Sequence, residues 1–458
     1  MNIKDSANIG FNLTDCFLDR LYELSQDTFH ESVIHQTKRC ILDYIGVTLA
    51  GAKSIEMNSS NSISNLCDEY GDISVIGTEY KTNLQNAVFI NGISAHFLEL
   101  DDGVRFGAIH PGAPIISALL PYAQKYKLSG MDLIRGIIIG YEASIRLASA
   151  IQPSHYNKGY HPTATCGSIG AAISIAVADK FTKEQMKAAF SSAAITSGGT
   201  LKVLDDESQL KAFNVGQASV NGLLSTYMAK IGLLVPKDAL SGNIGFLEMM
   251  SDNFDNTKLL ISKEESYKIL KVYFKLYAAC RHCHSSIEAA FNIRRNNQLL
   301  LEEIKEIKID TYEYVIGRHD HTKIQGTSSA KMSIPYSTVI ALLFGKATDK
   351  EFSSNMILEP EIHFLLEKVK ICENEELSAL VPQMRPAILT ITKKDNTKYT
   401  ERIDFPKGEP ENPLTDQELI DKFISLARYA NKTDKEINKI IDCVMNLENR
   451  LEELYSLL

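Results

Sequence analysis

No apolar run in this 458-residue chain approaches the ~20 residues needed to cross a bilayer. The opening MNIKDSANIGFNL lacks the basic start and apolar stretch of a secretory signal, so a cytoplasmic protein without a membrane partner is expected. Positive charge is in deficit, with 48 Lys and Arg against 57 Asp and Glu, which argues against a nucleic-acid partner. A small anionic ligand stays open, because a few local cations outweigh a global charge. Also missing are a GxGxxG turn after a strand, a GxxxxGKS/T loop, internal repeats and low-complexity linkers, so nucleotide binding has little support. The eight cysteines are scattered, which favours reduced thiols over a disulfide framework.

What is present divides by texture. From about residue 14 to 265 small and apolar residues recur at spacings of three and four, as in DLIRGIIIGYEASIRLASAI, which predicts packed helices. Between 268 and 405 the pattern turns to alternation and β-branched residues, as in EIKEIKIDTYEYVI and PAILTITKKDNTKYTERID, the latter broken by the turn Lys394-Asp395-Asn396. Helical texture then returns, with capping boxes at Thr415–Glu418 and Thr433–Glu436. The expected fold is mainly α: a large discontinuous all-helical domain (1–267 and 406–458) with a smaller inserted α+β lid (268–405).

Four segments carry candidate chemistry. HFLELDDGVRFGAIHPGAP crowds Glu99, Asp101, Asp102, Arg105 and His110 together; it reads as a solvated helix end or as a site. KGYHPTATCGSIGAA places His161 before a proline at a helix start, where free N–H groups favour an anion beside the imidazole. Lys211 opens an apolar, small-residue helix; it is a snorkelling surface residue or a fixed charge for a carboxylate. LYAACRHCHSSIEAAF offers Cys280 and Cys283 at CxxC spacing. His282, His284, His319 and His321 are conceivable partners, although a structural zinc site usually shows two ligand pairs around a short loop.

Taken in order along the chain, DYIGVTLAGA, NAVFINGISAH, ELDDG, HPGAP, GYHPTATCGSIGAA, LKAFNVGQAS and CHSSIEAA resemble the MmgE/PrpD family. The resemblance implies a helical domain with an inserted lid, an active site in the cleft between them, a homodimer, and chemistry without metal or organic cofactor. It implies a lyase that dehydrates or decarboxylates a small di- or tricarboxylate; an epimerase using the same groups, and a lapsed scaffold or metal-binding protein, are the alternatives. The site residues it implies are His161, His110, Glu99, Lys211 and His284 for catalysis, with Arg105, Asp102 and Tyr336 for substrate binding. His110 and His161 would handle protons, and Lys211 and His284 would clamp carboxylates. Glu99 stands where an aspartate is usual, Gly103 where a threonine is common, and the loop carrying Arg105 is about one residue longer than in a decarboxylase.

Overall fold

The computed structural model describes residues 12–58, 63–67, 71–204, 208–262 and 265–458; most of the opening segment read above for a signal lies outside them. It is 60% helical with 8% strand, so the mainly α expectation holds. The helices of the first part include α1 (Leu13–Gln26), α2 (Glu31–Asn58), α3 (Leu84–Phe97), α4 (Gly112–Tyr126), α5 (Gly130–Ile151), α6 (Pro162–Ala178) and α7 (Lys211–Lys230), with Lys183–Thr196 between the last two. Every residue of α6 is buried, which its uninterrupted run of apolar and small residues permits. Among the described residues no helix is long and apolar enough to cross a membrane.

Small residues set how closely these helices cross. A Cβ on Gly51 of α2 would lie 1.9 Å from the Ser94 carbonyl oxygen of α3. No side-chain rotation relieves a clash with backbone, so the two helices must part. Gly51→Ala is expected to cost about 1–3 kcal/mol, the usual penalty for overpacking, measured by urea unfolding. An unchanged midpoint would mean that α3 shifts freely.

Helical texture ends earlier than the spacing predicts. Beyond Lys230 the described residues run to Cys280 with only short helical turns, including Phe246–Met250. The alternating segments do form strands: β1 (Ile304–Thr311), β2 (Val369–Glu373), β3 (Ala387–Lys393) and β4 (Lys398–Ile403), in the order β2-β1-β3-β4. β1 and β2 are parallel, the other two pairings antiparallel. The β3–β4 turn uses Asn396 at φ 66°, a left-handed conformation that Asn tolerates. Helices α8 (His284–Asn296) and α9 (Ile334–Phe344) flank this sheet, and α10 (Asp416–Tyr429) follows it. Both predicted capping boxes are formed, by Thr415 with Glu418 and by Thr433 with Glu436.

Two large apolar cores result. One draws on Leu13 to Phe274 and again on Leu414 to Leu458; the other spans Ala278 to Ile391 and takes in Val47, Ala50, Leu98 and Leu100. Leu98 and Leu100 flank Glu99, so the end of α3 lies where the two cores meet. That junction carries a cluster of buried charge that includes Glu99, Asp101 and Lys275.

Candidate active site

Three loop-helix junctions bring imidazoles together. His96 sits in the last turn of α3, His110 lies just before α4, and His161 is the N-cap of α6. Ring centroids are 5.2 Å apart for His96 and His110, and 5.7 Å for His96 and His161. The His110 backbone N–H donates to Thr163 Oγ1 at 3.1 Å, which ties the His110 loop to the start of α6. Pro162 at the first helical position fixes that start.

Glu99 adopts φ 58°, a left-handed turn that costs a non-glycine residue roughly 1–2 kcal/mol. The turn aims its carboxylate inward. There it accepts from Lys211 Nζ, and Lys275 Nζ lies 3.4 Å from Oε2 while donating to the Glu99 carbonyl at 3.0 Å. Lys275 is also 3.7 Å from Asp101 Oδ1, and Asp101 Oδ2 is 2.7 Å from His96 Nδ1. Lys275 is wholly buried, which an ammonium tolerates only among anions.

Gly103 explains how Lys275 arrives. Gly103 and Tyr273 exchange backbone hydrogen bonds of 3.1 and 2.8 Å, two residues short of Lys275. A Cβ on Gly103 would fall 2.4 Å from the Tyr273 hydroxyl, so a threonine there, the commoner residue in the family resembled, would force the Tyr273 ring to shift.

The field of the cluster sets its protonation. Burial pushes both His110 and His161 well below the usual imidazole range; neighbouring cationic groups, Lys275 and Lys211 among them, push the same way. Both rings are therefore neutral near pH 7. His110 Nδ1 donates to the Asp102 carbonyl at 2.7 Å, which leaves Nε2 as the bare lone pair. His161 Nδ1 and His96 Nε2 are buried without a hydrogen-bond partner. Burial alone raises the Glu99 carboxyl, but Lys211 and Lys275 outweigh it and hold the group well below the carboxylate range.

Of the residues singled out in the sequence, Glu99, His110, His161 and Lys211 converge, and His96, Glu99 and Lys211 line a cavity of ≈ 780 Å³ together with Lys331 and Lys350. Asp102 does not face it as a substrate ligand. Its oxygens accept from Tyr141 at 2.7 Å and from the Gly112 N–H at 3.0 Å, and burial raises its carboxyl to about 7. Asp102 instead anchors the His110 loop.

Three further candidates have protein partners of their own. Arg105 is no free clamp: it pairs with Glu409 at 2.6 Å and with Glu411, and it lines a different cavity. His284 is buried with Nδ1 2.8 Å from Arg281 Nη1 and Nε2 3.2 Å from the Ala279 carbonyl, so both ring nitrogens are taken. The Tyr336 hydroxyl donates to the Glu351 carbonyl at 2.9 Å within the second core. Sequence reasoning did not single out His96 or Lys275; Lys275 is a lone charge within VYFKLYAA, whereas His96 stands three residues before Glu99 at the head of the charged segment, and that proximity was the available signal. The six metal candidates reduce to three: donors of Cys280, His282 and His319 lie within 4.8 Å of one another, whereas Cys283 Sγ faces the Lys331 carbonyl, both His284 nitrogens are taken, and His321 Nε2 is 3.1 Å from the Ser329 carbonyl.

Comparison with known proteins gives two family matches, the MmgE/PrpD N-terminal domain over residues 19–258 and the MmgE/PrpD C-terminal domain over residues 277–447. The chain is 25% identical to a cis-aconitate decarboxylase of Mus musculus over 465 residues, covering 97% of this chain and 91% of the relative. A protein of the same name from Homo sapiens is 25% identical over 468 residues, covering 96% and 92%. A 2-methylcitrate dehydratase of Escherichia coli O157:H7 is 23% identical over 437 residues, covering 89% and 88%.

Proposed function

Because the chain belongs to the MmgE/PrpD family, we propose that it is a lyase that dehydrates or decarboxylates a small di- or tricarboxylate of the citrate or aconitate type. The observation that carries this reading is the convergence of neutral His110 and His161 with the ammonium groups of Lys211 and Lys275 in one buried cluster. Relatives named for decarboxylating cis-aconitate and dehydrating 2-methylcitrate support the substrate class.

Both reactions put negative charge on a carbon next to a carboxylate. In dehydration a base removes the proton from that carbon, and the β-hydroxyl leaves as water after receiving a proton. In decarboxylation the carbon–carbon bond to CO2 breaks, its electron pair enters the conjugated acid, and one proton from the medium quenches the carbanion. A neutral imidazole serves as the base, and once protonated it returns the proton; such help is worth about 10²–10⁴-fold. His161 is the group assigned to the reacting carbon, since its Nδ1 is unsatisfied. His110, oriented by the Asp102 carbonyl with Nε2 as a lone pair, would accept a hydrogen bond from the substrate hydroxyl, and the proton that the leaving oxygen needs would come from His161 once it is protonated.

Lys211 supplies the opposing charge. Without substrate it is neutralised by Glu99, and a substrate carboxylate would share that ammonium. In a dry cluster such preorganised cations stabilise a developing anion far better than water does. The inserted domain would close the cleft as a lid.

The pH profile tests this. A base with a depressed pKa stays active below the ordinary imidazole value. With cis-aconitate or 2-methylcitrate as substrate, kcat/KM is expected to stay flat from pH 8 through 6.5 and to fall only at more acid pH. A profile already falling between pH 8 and 6.5 would contradict neutral histidine bases, and no turnover of either acid at any pH would sink the substrate class.

A further inference from the structure

A second cluster of soft and imidazole donors lies on the inserted domain. Cys280 precedes the turn that leads into α8, His282 lies within that turn, and His319 follows the loop after β1. The rings of His282 and His319 stack at 5.0 Å with 23° between their planes. One donor atom from each of the three residues lies within 4.8 Å of the other two.

The surroundings of the histidines match what a bound metal requires. His319 Nδ1 donates to the Met332 carbonyl at 2.9 Å, which fixes the tautomer and leaves Nε2 as a lone pair. That Nε2 is buried with no hydrogen-bond partner, on a residue only 3% exposed. Such an orphan acceptor is costly unless something meets it. His282 Nδ1 is bonded to the Tyr312 hydroxyl; with Nδ1 as donor, its Nε2 carries the ring's lone pair. A carbonyl or hydroxyl behind each ring is the usual support for a metal-ligating histidine.

We propose that Cys280, His282 and His319 form a three-ligand site for a borderline-soft divalent ion of the zinc type. Zinc takes thiolate sulfur and imidazole nitrogen in tetrahedral array, with ligand atoms ~3.3–3.6 Å apart at the usual bond lengths. The trio needs a contraction of roughly 1 Å to reach that spacing. The charges of Arg385, Arg318 and Lys211 act on His282; they oppose a bare dication and favour an anionic fourth ligand. The fourth position would open on the ≈ 1300 Å³ cavity that His282, Tyr312, Tyr314 and Arg385 line. Cys283, the other half of the CxxC spacing, is excluded by its burial against the Lys331 carbonyl.

Cobalt(II) is the probe, because its thiolate complexes absorb where the protein does not. Reduced full-length protein titrated with cobalt chloride is expected to reach one ion per chain with a thiolate-to-cobalt charge-transfer band, and zinc is expected to bleach it. Cys280→Ser should abolish the band, His319→Ala should weaken binding at least tenfold, and Cys283→Ser should leave the band in place. Circular dichroism checks that each variant is folded. Absence of a band in the wild-type chain at saturating cobalt, or an equal band in Cys280→Ser, would overturn the proposal.

Discussion

His161→Gln lowers kcat on the true substrate by about 10²–10⁴-fold, the usual worth of one general base, while the protein stays folded. The side chain supports this separation of function from stability. His161 makes no side-chain cap bond to α6, and its Nδ1 bonds to nothing in the protein. Its structural contacts are made by the backbone, whose N–H donates to the Gly199 carbonyl at 3.0 Å. Glutamine keeps those backbone bonds and most of the volume but cannot take a proton. Steady-state kinetics beside a thermal melt check the result. A rate within threefold of wild type, with the melt unchanged, would remove His161 from the chemistry.

Lys275→Met has the largest combined effect. Its ammonium lies among the Glu99 carboxylate, the Glu99 carbonyl and Asp101, wholly out of water. Removing one member of a buried ion cluster costs about 3–5 kcal/mol, because the orphaned carboxylates cannot recover their hydration. The sign of the pH dependence follows from those carboxylates. Burial raises both Glu99 and Asp101, but the cations and imidazoles around them prevail and hold both below their ordinary range. Their contribution to stability is therefore present above the unfolded values of 4.5 and 3.8 and is lost as pH falls. Lys275→Met raises the folded pKa of both groups, so the gap between wild type and variant should be widest near neutral pH and narrow below about pH 4. Urea unfolding at several pH values measures it. A gap that is small, or that grows on acidification, would show that Lys275 does not balance this cluster.

How much of this was legible in the sequence depended on how local the signal was. His161 before Pro162, the capping boxes at Thr415 and Thr433, and the strand pair around Asn396 all rest on neighbours within a few residues, and each is found in place. Glu99, His110, His161 and Lys211 were read as a set from the serial order of their segments. The pairing of Arg105 is not legible locally because its partners, Glu409 and Glu411, lie 304 and 306 residues further on. Lys275 was missed because the carbonyl it meets is 176 residues away, while around it YFKLY looks like core. Tyr336 and His284 had the right composition for a site, but their polar atoms are satisfied by nearby main chain and by Arg281. Periodicity reports which face is buried and is silent about which distant charge shares that burial.

The most direct measurement is proton NMR of the purified protein in D2O with cis-aconitate, citrate and 2-methylcitrate in turn. Net conversion, seen as a new alkene from a hydroxy acid or loss of a carboxylate from the unsaturated one, and abolished in His161→Gln, is the expected result. Deuterium uptake without net conversion would replace the lyase with an epimerase acting through the same residues. Unchanged spectra for all three acids from folded protein would contradict the substrate class itself.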